Sequence, residues 1–496
     1  MTYKNISEIE KKVVSQENVI IGSGAGGSTT AFELLKKNMD SLILEEGPAI
    51  EKNFNNNFRN IGTEISSLYK NNGATPIYSS NGGPLIGYGQ GCCIGGSTYV
   101  NAGYFSNTPS WVFEEWIKKG KVNFSYNNFN NYINEIKNEI NISTEELTSK
   151  DVDSKKLYDG CRKLNWQIEK CERFLSNCQR RNMCPIGCPS KAKQSMNVTY
   201  HKKLNANNID TIYNCKVEKI FIQGNKADYL IVRDRISGKT KKIKFKNLFV
   251  CCGPISTPHL LNKSKLIKYN KNQNDFEFHI NFRIVVKFKG EKINSNLSTV
   301  SIFFVREFEK EGALLSSANS EIPYLLGTTS HYDLNIKRDL FENFQNYAIY
   351  IYQIKAKSKG QVKDFFGMPY VKYTFDQQDY FQIKKAILRI SELFFNVGAE
   401  FVLFPIENIG KVHSIQEAQK VHDMINLKKL HLISVHGMSS LRSGPESSQF
   451  TDYFGRLKNF TNVFINDASI LPGNTGESPQ ASIMSFVKHN VQNNRF

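Results

Sequence analysis

No long apolar run interrupts this 496-residue sequence, and nothing in it approaches the length needed to cross a bilayer. Its first ten residues, Met-Thr-Tyr-Lys-Asn-Ile-Ser-Glu-Ile-Glu, hold no apolar signal core, so a cytoplasmic location is expected, with export on a partner's signal left open. Without such a signal, the ten cysteines do not read as a secreted disulfide framework. Acidic residues are scarce: 46 Asp and Glu face 64 Lys and Arg, a net charge of +18. An excess of that size is compatible with nucleic-acid binding. The lysines are scattered, however, and the short cluster at 239–246 reads as the edge of an alternating strand. No nucleic-acid motif accompanies them, and nucleic acid is not expected as a partner; an electropositive funnel for an anionic substrate stays open. Internal repeats and long disordered linkers are absent as well. What remains is ordinary globular material, 40% hydrophobic and 22% charged, in a chain long enough for two domains sharing one large interior.

Residues 18–27 read Asn-Val-Ile-Ile-Gly-Ser-Gly-Ala-Gly-Gly, an apolar strand running into G-x-G-x-x-G at Gly22, Gly24 and Gly27. A helical run over 29–37 follows, then a second apolar strand over 41–44 that ends in Glu45. This β-α-β order binds a dinucleotide. Gly22 permits the tight turn, Gly24 lets the backbone approach the pyrophosphate, and Gly27 lets helix and strand pack closely. The helix N-terminus faces the phosphates, and Glu45 can accept from the ribose hydroxyls.

Two further segments narrow the choice. Residues 87–103 read Gly-Tyr-Gly-Gln-Gly-Cys-Cys-Ile-Gly-Gly-Ser-Thr-Tyr-Val-Asn-Ala-Gly, and 463–468 read Val-Phe-Ile-Asn-Asp-Ala. Together with the fingerprint they resemble the glucose-methanol-choline (GMC) family of FAD-dependent oxidoreductases over most of the chain. The resemblance implies an α/β, Rossmann-like FAD-binding domain (1–274 and 431–496, with 105–192 partly a cap or insert). It also implies an α+β substrate domain (275–430) whose antiparallel sheet roofs the flavin. It makes Gly95, Gly96, Ser97, Asn101, Asp467 and Ala468 cofactor contacts and puts Val217 beside the adenine. Val100 stands where some relatives carry a flavin-linking histidine, so FAD is expected to be noncovalent. Residues 247–258 resemble the family's second signature. Alternation over 282–289 and 347–355 predicts antiparallel strands, and 376–397 predicts a helix.

Alcohol oxidation needs a base for the hydroxyl proton, and histidine titrates in the right range. Of nine histidines, His436 in His-Gly-Met-Ser-Ser-Leu-Arg resembles the family's catalytic segment and is the expected base. Ser439 and Ser443 depart from the usual glycine and methionine there. Ser478, in Gly476-Glu477-Ser478-Pro479, occupies the slot where the family usually has Asn or His. Three readings stay open: a modified alcohol pocket with Ser478 positioning the substrate oxygen, a shifted partner such as Asn474, or altered chemistry. Glu477 reads as a solvated or helix-start acid.

Cys171, Cys178, Cys184 and Cys188 cluster as Cys-x6-Cys-x5-Cys-x3-Cys, with spacing of neither a ferredoxin run nor a paired zinc site. Plain buried thiols, an Fe–S cluster, and zinc or a disulfide all remain readings of them. The segment resembles one in long-chain alcohol oxidases and in sugar or gluconate dehydrogenases, some of which hold a three-iron cluster here. That tilts the expected electron acceptor toward a protein or quinone rather than oxygen. The expected function is FAD-dependent oxidation of a small-molecule alcohol to a carbonyl. A non-oxidative lyase or decarboxylase, or an inactive FAD-binding protein, is the alternative.

Overall fold

The computed structural model describes residues 3–50, 61–73, 75–268, 275–293, 298–319, 329–445 and 450–496. The domain boundary expected at 274 falls outside the described residues. Two sheets organise the chain. The first has eight strands, ordered Tyr3–Asn5, Asp210–Tyr213, Ser41–Leu44, Val13–Ile21, Thr240–Val250, Lys226–Asp234 and Cys215–Gln223, with Val463–Ile465 also on Thr240–Val250. Its fingerprint half is parallel, whereas Lys226–Asp234 runs antiparallel to both its neighbours. The apolar run Val19-Ile20-Ile21 is buried on both faces, as a central parallel strand requires. Helices Ala25–Lys36 and Gln480–Asn493 pack together over this sheet.

The second sheet has twelve strands and is built around the long strand Glu277–Phe288, which pairs antiparallel with Tyr347–Lys355 in unbroken register from His279–Lys355 to Lys287–Tyr347. Its sequence alternates Glu-Phe-His-Ile-Asn-Phe-Arg-Ile. Phe278, Ile280, Phe282 and Ile284 therefore enter one core, while His279, Asn281 and Arg283 share the opposite face. Helix Gln377–Phe395 covers the apolar side, started by Asp376, whose carboxylate accepts from Gln378 N at 2.7 Å.

The second sheet also recruits strands from regions expected in the cofactor-binding part. Thr75–Ser79 pairs with Met368–Thr374, Ile86–Tyr88 with Leu432–Ser434, and Ile168–Lys170 with Phe303–Val305. Gly437–Met438 pairs with Glu277–Phe288, which holds the segment after His436 against this sheet. None of the helices among the described residues is long and apolar enough to cross a membrane.

Candidate active site

Between the sheets lies a cavity of about 470 Å³. Its floor begins at the fingerprint. Gly22 has φ +101°, and a Cβ there would meet Cys251 O at 2.3 Å, so only glycine fits this turn. Gly24 caps helix Ala25–Lys36 without any side-chain hydrogen bond, which leaves the first N–H groups for an anion. Gly22 and Gly24 line the cavity, whereas Gly27 lies behind it, where a Cβ would strike Gly22 O at 1.8 Å. Gly27 thus brings helix and strand together, as its place in the fingerprint predicts. Buried Glu45 accepts from Ser23 N at 3.0 Å, Ser23 Oγ at 2.6 Å and Gly47 N at 2.8 Å. Three of roughly four acceptor sites are then used, leaving one for a ligand at the cavity wall. Burial raises this carboxyl's pKa, and the bonds from Ser23 and Gly47 oppose the rise. Val217 lines the same end.

Along the floor run Gly96, Ser97 and Asn101. Gly96, at φ +53°, approaches Gly24 so closely that a Cβ would lie 2.9 Å from Gly24 Cα. Ser97 Oγ accepts from Gly91 N at 3.0 Å, and Asn101 Nδ2 donates to Gln480 Oε1 at 2.8 Å. Gly95 does not line the cavity; its N–H donates to Ser23 Oγ at 3.0 Å and ties this loop to the fingerprint. Asp467 and Ala468 close the floor. The Asp467 carboxylate accepts from Gly253 N at 2.8 Å and Ser469 N at 2.7 Å, and burial raises its pKa.

His436 and Ser478, 42 residues apart, meet at the cavity wall with His436 Nε2 3.3 Å from Ser478 Oγ. Burial lowers the His436 pKa to about 4, so the ring is neutral at pH 7 and can take a proton. Behind it stands His279, fully buried, with Nδ1 2.9 Å from His436 Nδ1. Asn474 does not face His436 directly: its N–H donates to Glu277 Oε2 at 2.6 Å and its Nδ2 to Phe278 O at 2.7 Å. Asn281, Arg283, Ser316 and Gln353 supply polar wall from the second sheet, among Val300, Leu314 and Ile351. Sequence reasoning missed these and His279. The signal was there, in polar residues at every second position of an otherwise apolar strand.

Glu477 corrects its expectation. It is 2% exposed rather than solvated, and is ion-paired with Arg306, which also holds Glu169 at 2.6 Å. Arg306 follows a strand of the second sheet, and no local pattern around Glu477 announces it.

The thiols of Cys171, Cys178, Cys184 and Cys188 do not assemble around one ion. Among the described residues, the three-ligand group within bonding range of a single metal is Glu33, Glu135 and Glu139, and it holds the Lys488 ammonium. Cys171 Sγ sits 3.9 Å from Ser301 O, while Cys184 Sγ accepts from Arg173 at 3.4 Å. Cys178 Sγ accepts from Arg180 N and Cys188 Sγ from Lys193 N, each at 3.4 Å. A cavity of about 10 Å³ beside Cys178, Cys184 and Cys188 has room for one water at most. The Fe–S reading therefore gains no support from the geometry, and the physical reason is that no three of these sulfurs lie close enough together to share one metal ion.

Two family models described as GMC oxidoreductase match this sequence, over residues 16–298 and 355–486. An uncharacterized GMC-type oxidoreductase, y4nJ of Sinorhizobium fredii, is 26% identical over 95% of this chain and 92% of its own length. Long-chain-alcohol oxidase FAO3 of Arabidopsis thaliana is 22% identical over 94% of this chain and 66% of its own. Among solved structures, pyridoxine 4-oxidase from Mesorbium loti superposes with a TM-score of 0.70 at 14% identity, covering 96% of this chain and 98% of that one. Formate oxidase of Aspergillus oryzae, in a study of its FAD modification, superposes at 0.75 with 13% identity, covering 97% and 98%.

Proposed function

The chain belongs to the GMC oxidoreductase family, and from that premise we propose that it binds FAD noncovalently and oxidises an alcohol to a carbonyl, with His436 as general base. The uncapped helix N-terminus at Gly24, the glycine contact between Gly24 and Gly96, and the remaining acceptor site on Glu45 fit a dinucleotide lying along the cavity floor. FAD bound there supplies the two-electron acceptor for the carbinol hydride. The chain's own residues handle the proton. His436 Nε2, neutral and open to the cavity, takes it from the substrate hydroxyl, and Ser478 Oγ orients that oxygen.

The observation that carries this reading is the convergence of His436 and Ser478 on one point of the cavity wall. Ser478 Oγ reaches within 3.3 Å of the ring, so the modified alcohol pocket is favoured over a shifted Asn474, whose side chain is committed to backbone groups of Phe278, Ala356 and Gly476. The test is an anaerobic visible spectrum followed by addition of a panel of alcohols. Flavin bands that bleach with an alcohol, and bleach about 10²–10⁴-fold more slowly in His436→Ala, are expected. Bleaching at the wild-type rate in that variant, or a colourless protein that refuses FAD, overturns the reading. The same spectrum reports any iron–sulfur absorbance, and reoxidation by oxygen against a quinone identifies the acceptor.

A further inference from the structure

We propose that the hairpin tip Phe365-Phe366-Gly367-Met368 docks the protein on an anionic lipid bilayer, with its apolar end inserted and Lys363 and Lys372 against the headgroups. The tip joins strands Lys359–Phe365 and Met368–Thr374. Val362 and Val371, paired across this hairpin, are buried in the core of the second sheet. Alternation then puts the pairs Phe365–Met368, Lys363–Tyr370 and Gln361–Lys372 on the opposite face. From the tip inward, that face is apolar first and basic behind. Phe365, Phe366 and Met368 are 60%, 90% and 61% exposed, and the two phenyl rings meet edge to face with centroids 4.8 Å apart. Hairpin ends facing water are ordinarily built from Gly, Asn, Asp and Ser.

The turn holds these rings outward at a steric cost. Phe366 has φ +49° and Gly367 φ +83°, the pair of positive values that normally selects Asn-Gly. Asn would relieve the backbone and suit water, yet an aromatic ring stands there. Asp364 stiffens the turn: its Oδ1 accepts from Gly367 N at 3.1 Å, and its Oδ2 lies 2.6 Å from His259 Nε2 on helix Ser256–Lys263. The apolar end is therefore ordered before it meets a partner. Behind it, Lys363 and Lys372 sit diagonally across the two strands, and neither is ion-paired among the described residues. Burial, and then the Lys372 charge, lower the pKa of Lys363. Lys363 lies two residues behind Phe365, about 7 Å along the strand, which matches the roughly 5–10 Å by which interfacial apolar groups sink below the headgroups. Lysine and lipid phosphate then share one level, and the net charge of +18 favours the approach. A second copy of this chain docked tip to tip would instead set lysine against lysine. Gly367, Met368 and Pro369 also line the cavity, so docking sets the cavity's rim on the membrane.

The test is sedimentation of the full protein with vesicles of phosphatidylcholine, with and without phosphatidylglycerol. The wild type is expected to sediment with the phosphatidylglycerol vesicles and to be released by high salt. Phe366→Asn suits the turn, so it should fold as well as wild type by circular dichroism, yet bind at least about 10-fold more weakly. Lys363→Gln combined with Lys372→Gln should weaken binding to the anionic vesicles about 10- to 30-fold. Absence of wild-type binding to phosphatidylglycerol vesicles overturns the proposal, and so does wild-type affinity in either variant. A wild-type dimer in analytical ultracentrifugation that Phe366→Asn dissolves assigns the tip to a second copy and overturns it as well.

Discussion

Single side chains in this protein are set by what burial leaves them. His436 titrates near 4 because its ring is desolvated, and the consequence for catalysis has a definite sign. Below its pKa the ring is protonated and cannot accept the substrate proton; above it the ring is ready. The acid limb of kcat/KM should then fall near pH 4, with the rate flat between pH 7 and 5, and a limb at the ordinary histidine value of 6.5 would contradict it. Replacing Ser478 by Ala should lower kcat/KM about 10-fold, the worth of one hydrogen bond of roughly 1.4 kcal/mol to the substrate oxygen. Asp153 offers a purely structural case. It is fully buried in the first turn of helix Val152–Leu164, neither carboxylate oxygen has a hydrogen-bond partner, and burial raises its pKa to about 7. In the unfolded chain the same group ionises near 3.8, so native stability is lost as pH rises from there to about 7. Asp153→Asn cannot ionise. Its stability relative to wild type should therefore improve by about 3 kcal/mol between pH 5 and pH 8, read from urea unfolding at the two pH values.

At the scale of elements, helix Ala25–Lys36 and the strand Val463–Ile465 share an apolar cluster through Ala31, Leu34 and Phe464, and their backbones also meet directly just beyond the strand. A Cβ on Gly26 would lie 1.9 Å from Asn466 O, and backbone cannot retreat from it. Gly26→Ala is expected to destabilise by more than about 3 kcal/mol and to abolish FAD retention. Gly87→Ala, with nothing within 4 Å of its Cβ, should be nearly neutral in the same melting and FAD-release measurements. Constraints of this kind are why the cofactor-binding half could be read so directly. Glycines that permit positive φ or close approach are required at fixed spacing by local geometry, and Gly22, Gly24 and Gly27 announce the motif before any contact is known. The helix over Gln377–Phe395 and the strand Tyr347–Lys355 were legible from periodicity alone. Thr75–Ser79 and Ile86–Tyr88 were not assigned to the second sheet, because their partners lie some 290 and 350 residues away and no local pattern encodes them. His279 stayed hidden for a related reason: its alternation with Asn281 and Arg283 marks a polar face of the strand, but the ring it meets, His436, lies 157 residues away.

Across the whole molecule, the segment with the clustered cysteines joins the cavity floor to the second sheet, and its cations rather than its sulfurs make the joint. Arg173 is wholly buried; its Nε and NH2 groups both donate to Ala102 O, at 3.0 and 2.6 Å, while NH1 reaches Thr299 Oγ1 at 2.6 Å. Lys193, 1% exposed, donates to the carbonyls of Tyr99, Asn101 and Cys184, the latter two at 2.7 Å. Both cations therefore grip residues 99–102, which run along the floor. No carboxylate is among these hydrogen-bond acceptors, so backbone dipoles carry the charge, and burial lowers the Lys193 pKa to about 8. The ammonium still keeps its three hydrogens at pH 7. Lys193→Met preserves most of the volume but strands three buried carbonyls, each costing about 1–3 kcal/mol. If the segment only fills space, that variant loses stability while FAD binding in the surviving folded protein is unchanged. If it holds the floor in shape, FAD affinity falls with stability. We expect the second outcome, with at least about a 10-fold weaker Kd, measured by flavin fluorescence at a temperature where circular dichroism shows the variant folded. Lys193→Arg retains charge but replaces a compact three-way donor by a planar fork, and should recover stability more fully than affinity.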